Sequence, residues 1–322
     1  MKKNLFDISD SKALAKKKWN ITKTNKKDVA IIGIGLKFSG SNNPLEYWDL
    51  IKKGKDMISS FPSQRHKEMN ELIFYCDDSI QKAENFQKAS YLDQISHFDH
   101  GKYKMTSLEA TLMSPEQRLF TQVAHQAIED AGIPTLDMKG TNTEVYLGHS
   151  SHGYKYTDFL QGLKKDYFQM AVSGNIDAMI PSRISYLLDL KGPSLLIDTA
   201  CSSSLVAIYQ AYKGLSEGTC KMALAGGIRL MFYPQEQSGD FKMGIESQDD
   251  KTRTFDNSST GTGVGEGAAC VLMKPLDQAL ADGNPIYAVL KGGSMNQDGK
   301  SIGITAPNGR AQKEVLENAW KK

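Results

Sequence analysis

Six short apolar runs, each bounded by glycine or polar residues, constrain this chain more than any other feature. They are Val29–Phe38 (VAIIGIGLKF), Glu144–Gly148 (EVYLG), Ser194–Ala200 (SLLIDTA), Met222–Gly227 (MALAGG), Ala268–Met273 (AACVLM) and Ile286–Leu290 (IYAVL). Continuous rather than alternating hydrophobicity is the pattern of strands covered on both faces. Helical periodicity fills the intervals. Leu119, Val123 and Ala127 fall at i, i+4 and i+8 within Glu116–Ala131, with Gly132 as a stop. Leu205, Ile208, Tyr209 and Tyr212 fall at i, i+3, i+4 and i+7, which predicts that this stripe is the buried face of a second helix. Alternation of buried strands with amphipathic helices specifies an α/β layered fold. A last helix, Ala311–Trp320, pairs Val315 with Ala319 and Leu316 with Trp320, an apolar face of the kind that leads back to a sheet.

Composition narrows the class. With 40% hydrophobic and 24% charged residues in 322, wholesale disorder is excluded. The apolar run Val29–Leu36, among the longest in the chain, is far short of the roughly 18 residues of a membrane span. The opening residues MKKNLFDISD carry no uninterrupted apolar stretch of the secretory kind. Four cysteines, Cys76, Cys201, Cys220 and Cys270, show no C-x-x-C spacing, which argues against a zinc ribbon or a disulfide scaffold. The expectation is a cytoplasmic protein with no membrane association. Residues 1–27 hold nine Lys and two Asp, a net of +7 against +2 for the whole chain, which leaves the remainder at −5. That body gives no reason to expect a nucleic-acid surface. The basic head reads as a linker or docking segment, with Ser9 or Asp10 able to cap a short helix over Ser11–Trp19.

The local pattern richest in chemistry is Asp198–Thr199–Ala200–Cys201–Ser202–Ser203–Ser204. A buried strand runs into a cysteine and an amphipathic helix starts at once. Cys201 thus stands on a strand-to-helix turn, the place of a hydrolase nucleophile elbow, without that motif's glycines. A thiol there faces the positive end of the helix dipole, which favours the nucleophilic thiolate. A buried structural cysteine is the competing reading.

Six histidines are available as bases or ligands. His125 sits on the Glu116–Ala131 helix, and His66 has no distinctive context. His97 and His100, and again His149 and His152, are spaced i, i+3. Neither pair has a second local pair of ligands, so no metal is expected. His149 follows a strand end, which makes an approach to Cys201 conceivable. Gly261, Gly263, Gly265 and Gly267 precede a strand instead of following one, so they read as a close-packed loop and not as a dinucleotide site. Asp256, Glu266 and Asp298 read as solvated loop carboxylates.

The order of motifs resembles the β-ketoacyl synthases, and in particular the ketosynthase domains of modular polyketide synthases. VAIIGIGLKF with Trp48–Asp49, Met113–Ser114–Pro115–Glu116–Gln117–Arg118, Ala127–Ile128–Glu129–Asp130–Ala131–Gly132 and Arg183–Ile184–Ser185–Tyr186 lead to the cysteine segment. Ala225–Gly226–Gly227, Arg253–Thr254–Phe255–Asp256, Gly265–Glu266–Gly267, Asn296–Gln297–Asp298–Gly299 and Thr305–Ala306–Pro307–Asn308 follow it in the family's order.

The resemblance implies a thiolase-like layered fold (α-β-α-β-α), with residues 28–322 forming the N-terminal half and the start of an incomplete second half. It implies a homodimer, and Cys201 as both nucleophile and backbone oxyanion donor. Cys201 would accept an acyl chain from the phosphopantetheine of an acyl carrier protein, for decarboxylative Claisen condensation with malonyl carrier protein. No cofactor bound by the chain is implied. The family's two catalytic histidines and a lysine belong to segments resembling HGTGT and a lysine-led stretch ending in GH, and neither occurs here. Condensation is therefore expected to need a complementary chain or piece carrying them. A non-elongating acyl-transfer or docking scaffold is the alternative reading, and a thiolase a further one on fold grounds.

Overall fold

The computed structural model describes residues 27–74, 86–151, 156, 165–232, 245–304 and 306–321. Cys76, His152 and the expected helix over Ser11–Trp19 lie outside them. All six apolar runs contribute strands: β1 (Val29–Phe38), β2 (Thr143–Gly148), β3 (Ser194–Ile197), β4 (Met222–Arg229), β5 (Gly267–Pro275) and β6 (Ala288–Leu290). The helices are α1 (Pro44–Lys52), α2 (Ser63–Phe74), α3 (Ser107–Leu112), α4 (Pro115–Asp130), α5 (Lys165–Asn175), α6 (Met179–Leu188), α7 (Ser203–Glu217), α8 (Leu276–Ala281) and α9 (Gly309–Trp320).

The strands form one sheet in the order β3-β2-β4-β5-β1-β6. β2 runs parallel to β3 and β4, and the pairs β4–β5, β5–β1 and β1–β6 are antiparallel. Alternate residues of each strand enter different cores. Val145 and Leu147 join Leu119, Phe120, Val123 and Ala127 of α4 on one face, while Tyr146 joins Ala207, Ala211 and Leu215 of α7 on the other. The result is an α/β/α sandwich. β3 is an edge strand, and Leu195 is 51% exposed, so this run is less covered than its continuous hydrophobicity predicts.

Helix α4 seats on β1 through two glycines. A Cβ on Gly33 would lie 2.0 Å from the Ala127 carbonyl oxygen, and one on Gly35 would lie 1.9 Å from that of Val123. The helix returns hydrogen bonds to the strand: Asp130 Oδ2 accepts from Ile34 N (2.9 Å) and Gln126 Oε1 from Leu36 N (3.0 Å). Because backbone obstructs both positions, Gly35→Ala should cost about 1–3 kcal/mol, the range for overpacking a filled core. A lowered denaturant midpoint at unchanged m-value would register it.

Two helical stripes pack differently from the sequence pattern. In α7 the residues against the sheet are small: Ser203, Ala207, Ala211 and Gly214 are buried with Tyr212 and Leu215, whereas Leu205 is 70% exposed. Small side chains let the helix axis approach the sheet; Ile208 and Tyr209 pack at the margin of this contact, and of the stripe only Leu205 is left exposed. In α9 only Ala311 is buried. Leu316 and Trp320 stand 61% and 89% exposed.

Glu266 is not solvated, contrary to the sequence expectation. Its carboxylate is buried and bridges to Arg65, 201 positions earlier, with Nη1 to Oε2 at 2.5 Å and Nη2 to Oε1 at 3.0 Å. The same two oxygens accept Leu92 N (2.8 Å) and Met231 N (2.7 Å). Arg65 also donates to the carbonyls of Leu92 and Met231, and lies over the rings of Phe61 and Tyr91. A buried charge pair is tolerable only with this degree of satisfaction.

Candidate active site

Cys201 lies where β3 turns into α7. After Ile197 the chain passes through Asp198 and Thr199, makes a 3₁₀ turn over Ala200–Ser202, and enters α7 at Ser203. Ala200 is left-handed at φ +54°, a conformation that costs a residue bearing a Cβ about 1–2 kcal/mol. Local side chains satisfy the turn. Asp198 Oδ1 accepts the Ala200 N–H (3.0 Å), and Ser150 Oγ donates to the same oxygen. Ser203 Oγ accepts the Thr199 N–H (2.8 Å) and donates to the Ala200 carbonyl (2.7 Å). Ser202 Oγ donates to Thr199 O and also contacts Thr199 Oγ1, each at 2.9 Å.

The seat of this turn is fixed by close approach. A Cβ on Gly148, the last residue of β2, would lie 2.4 Å from Ser203 C and Ser204 N, and one on Gly227 of β4 would lie 2.6 Å from Ser204 Cβ. Two neighbouring parallel strands thus place glycines directly beneath the start of α7. In open α/β sheets, sites form at such strand C-termini.

Cys201 is an exposed free thiol, and Cys220 and Cys270 are buried. Burial pushes both of the latter thiols well above the ordinary range, with the Glu144 carboxylate adding to the effect at Cys220. They are poor nucleophiles; Cys201 is accessible and stands at the N-terminal end of α7.

The described histidines make their contacts elsewhere. His149 continues the parity of Val145 and Leu147 and is buried with Nδ1 3.2 Å from the Ile228 carbonyl. It acts electrostatically on Glu116 of α4, whose carboxyl is pushed up by burial, an effect opposed by hydrogen bonds and by His149. Gly148, not His149, faces the cysteine turn. His100 Nδ1 lies 3.0 Å from the Met105 carbonyl, His125 Nε2 is 3.2 Å from Glu129 Oε1, and His66 Nδ1 is 3.2 Å from Asn70 Nδ2. His97 is exposed, and its carbonyl accepts from Gln122. Among the described residues no group of three or more His, Cys, Asp or Glu side chains is arranged to hold a metal ion.

The remaining candidates are structural. Asp256 accepts the N–H and hydroxyl of Ser258, which hold its carboxyl below the usual range. Asp298 Oδ2 accepts Asn308 N at 3.1 Å. The glycine-rich run packs as a tight loop: a Cβ on Gly263 would lie 2.2 Å from Asp250 O, and Gly261 has φ +143°. Sequence reasoning missed Ser150, Asp198 and Ser203 as partners of the cysteine turn; the run of small hydroxyl residues after Cys201 was the available signal.

A mixed α/β sheet thus carries an accessible cysteine at the start of the helix that follows β3. Comparison with known proteins fixes the family. Residues 26–279 match the β-ketoacyl synthase N-terminal domain, and residues 287–322 match the β-ketoacyl synthase C-terminal domain. The chain belongs to the β-ketoacyl synthase family.

Among curated relatives, it is 38% identical over 303 residues to a phenolphthiocerol/phthiocerol polyketide synthase of Mycobacterium tuberculosis, covering 92% of this chain and 14% of that one. It is 40% identical over 293 residues to 6-methylsalicylic acid synthase of Aspergillus niger, covering 91% of this chain and 16% of that one. Among solved structures, the ketosynthase from module 6 of the bacillaene synthase of Bacillus subtilis superposes with a TM-score of 0.75 at 34% identity, covering 91% of this chain and 48% of that chain. Ketosynthase twelve of the bacillaene polyketide synthase of Bacillus amyloliquefaciens gives 0.77 at 30% identity, covering 92% and 50%. The chain thus spans about half the length of these solved ketosynthases and about one-seventh of the curated synthases. β6 and α9 fall in the part matched by the C-terminal domain.

Proposed function

We propose that this chain carries the acyl-accepting half of a ketosynthase site, with Cys201 as nucleophile. The exposed thiol on the left-handed turn at the head of α7 carries the reading. The Cys201 sulfur attacks the carbonyl carbon of an acyl thioester on the phosphopantetheine arm of an acyl carrier protein. A new S–C bond forms, the carrier's S–C bond breaks, and the released pantetheine thiolate takes up the thiol proton. The Cys201 N–H serves as one donor to the oxyanion, the kind of charge that backbone donors stabilise most effectively. Splitting transfer from condensation across a covalent thioester replaces one difficult step by two easier ones.

Condensation follows when malonyl carrier protein loses carbon dioxide. Its carbanion attacks the Cys201 thioester, and the cysteine thiolate departs. This step needs the histidines and lysine of the family's remaining segments, which we assign to a complementary C-terminal piece. The working unit is a homodimer in the cytoplasm that takes its substrates from carrier proteins.

Incubation with acyl and malonyl carrier proteins tests this division. Acyl transfer to Cys201 should proceed with the 322-residue chain, and carbon–carbon bond formation should appear only when a polypeptide bearing the remaining ketosynthase sequence is added. Condensation at full rate without it, or acylation elsewhere than Cys201, would contradict the reading. A non-elongating role would show as acylation that persists without any condensation after complementation.

A further inference from the structure

We propose that Ser150 and Asp198 are positioning residues for Cys201: together they hold Ala200 left-handed and so aim the thiol. The inference rests on Cys201 being the nucleophile and goes beyond it by naming what orients that side chain. Asp198 Oδ1 receives two donors, the Ser150 hydroxyl and the Ala200 N–H.

The topology sets up this clasp. β2 and β3 are parallel neighbours with Gly148 opposite Ile197, and the register continues as His149 N donates to Ile197 O (3.1 Å). Ser150 and Asp198 therefore leave adjacent strand ends side by side. The carbonyl of Ala200 is held from the other direction by Ser203 Oγ. Both backbone polar groups of Ala200 thus meet side chains, and its carbonyl also accepts the Ser203 N–H of the turn.

Such support is needed because of the residue type. Among the described residues the other non-glycine residues with positive φ are Lys104, Asp189, Asp250 and Phe255; the two aspartates have a short polar side chain that can bond locally in this conformation. An alanine has no such group, so the left-handed state must be imposed from outside. Without the clasp Ala200 relaxes toward right-handed or extended backbone, and rotation there redirects Cys201, the next residue. The carboxylate acts here as an acceptor fixed by geometry. Its charge contributes nothing useful to a neighbouring thiol, because a like charge disfavours the thiolate.

The test reads Ala200 directly. NMR of chain labelled selectively at alanine should report the left-handed signature of Ala200 in the wild type. That signature should shift in Asp198→Ala and, less strongly, in Ser150→Ala. Acylation of Cys201 from an acyl-pantetheine thioester should fall about tenfold in kcat for Asp198→Ala with KM little changed. Asp198→Asn retains an acceptor of the same shape and should stay within about threefold of wild type. Adding Ala200→Gly to Asp198→Ala should recover most of the loss, since glycine enters the left-handed region without the Cβ penalty.

An unchanged Ala200 signature in both Asp198→Ala and Ser150→Ala overturns the proposal, whatever happens to acyl transfer. So does failure of Ala200→Gly to recover the rate. Should Asp198→Ala fail to fold, Ser150→Ala carries the same reading, since Ser150 stands at the rim of the site. If the wild-type chain takes up no acyl group while Ala200 shifts as expected, the nucleophile assignment fails and the clasp stands.

Discussion

Replacing Cys201 by alanine should leave the chain folded and lower acyl uptake by about 10³-fold or more, the scale on which removal of an enzyme nucleophile acts. The thiol is exposed and its sulfur makes no packing contribution comparable to a core residue, so the thermal midpoint should move little. The other thiols described cannot substitute. Cys220 and Cys270 are buried, and their thiols are held in the protonated form by burial. The rate of acyl uptake, followed by intact mass, separates the outcomes. Uptake in Cys201→Ala at the wild-type rate would remove the cysteine from the mechanism.

Glu266→Ala should cost about 3–5 kcal/mol of stability, the range for removing one partner of a buried ion pair. The substitution leaves the Arg65 guanidinium buried without its counter-charge. It also leaves the N–H groups of Leu92 and Met231 without their acceptor. A domain's net stability is typically about 5–15 kcal/mol, so a large share would be lost. The double variant Arg65→Met/Glu266→Met should recover the part due to the stranded charge but not the part due to the two backbone donors. Denaturant titration of the single and double variants measures both. A loss below about 1 kcal/mol for Glu266→Ala, the scale of a surface pair, would show that the pair is solvated after all.

Much of the architecture is legible because strands covered on both faces leave uninterrupted apolar runs. β1 coincides with VAIIGIGLKF, and β4 and β5 extend their runs by only a few residues. The same reasoning finds only part of the buried face of α7. Tyr212 is buried and Ile208 and Tyr209 pack against the core, but Leu205 is exposed and the small residues Ser203, Ala207 and Ala211 complete the contact with the sheet. Glycines explain why: with Gly148 and Gly227 below, the helix sits too close for large side chains. The apolar pattern of SLLIDTA runs on to Ala200, but the strand ends at Ile197 because Asp198 turns its side chain onto the following backbone.

Legibility of the site has a similar limit. Cys201 can be singled out because strand, cysteine and helix are contiguous in sequence. Its supports cannot be, since Ser150 is 48 positions from Asp198 and only the parallel register of β2 and β3 joins them. The place of His149 after β2 suggests an approach to the thiol. Strand parity sends it to the α4 face instead, where its Nδ1 lies beside the Ile228 carbonyl. Glu266 reads as one more loop carboxylate, because nothing in GTGVGEG points to an arginine 201 residues away.

The central claim is that an accessible thiol, set on a left-handed turn over glycines of two parallel strands, accepts an acyl group. The most direct test is to incubate the chain with an acyl-pantetheine thioester, digest it, and map the adduct by peptide mass. The account predicts one acyl group per chain, confined to the peptide containing Cys201 and absent in Cys201→Ala. No adduct on that peptide in a chain shown to be folded, or adducts spread over several cysteines, would contradict it.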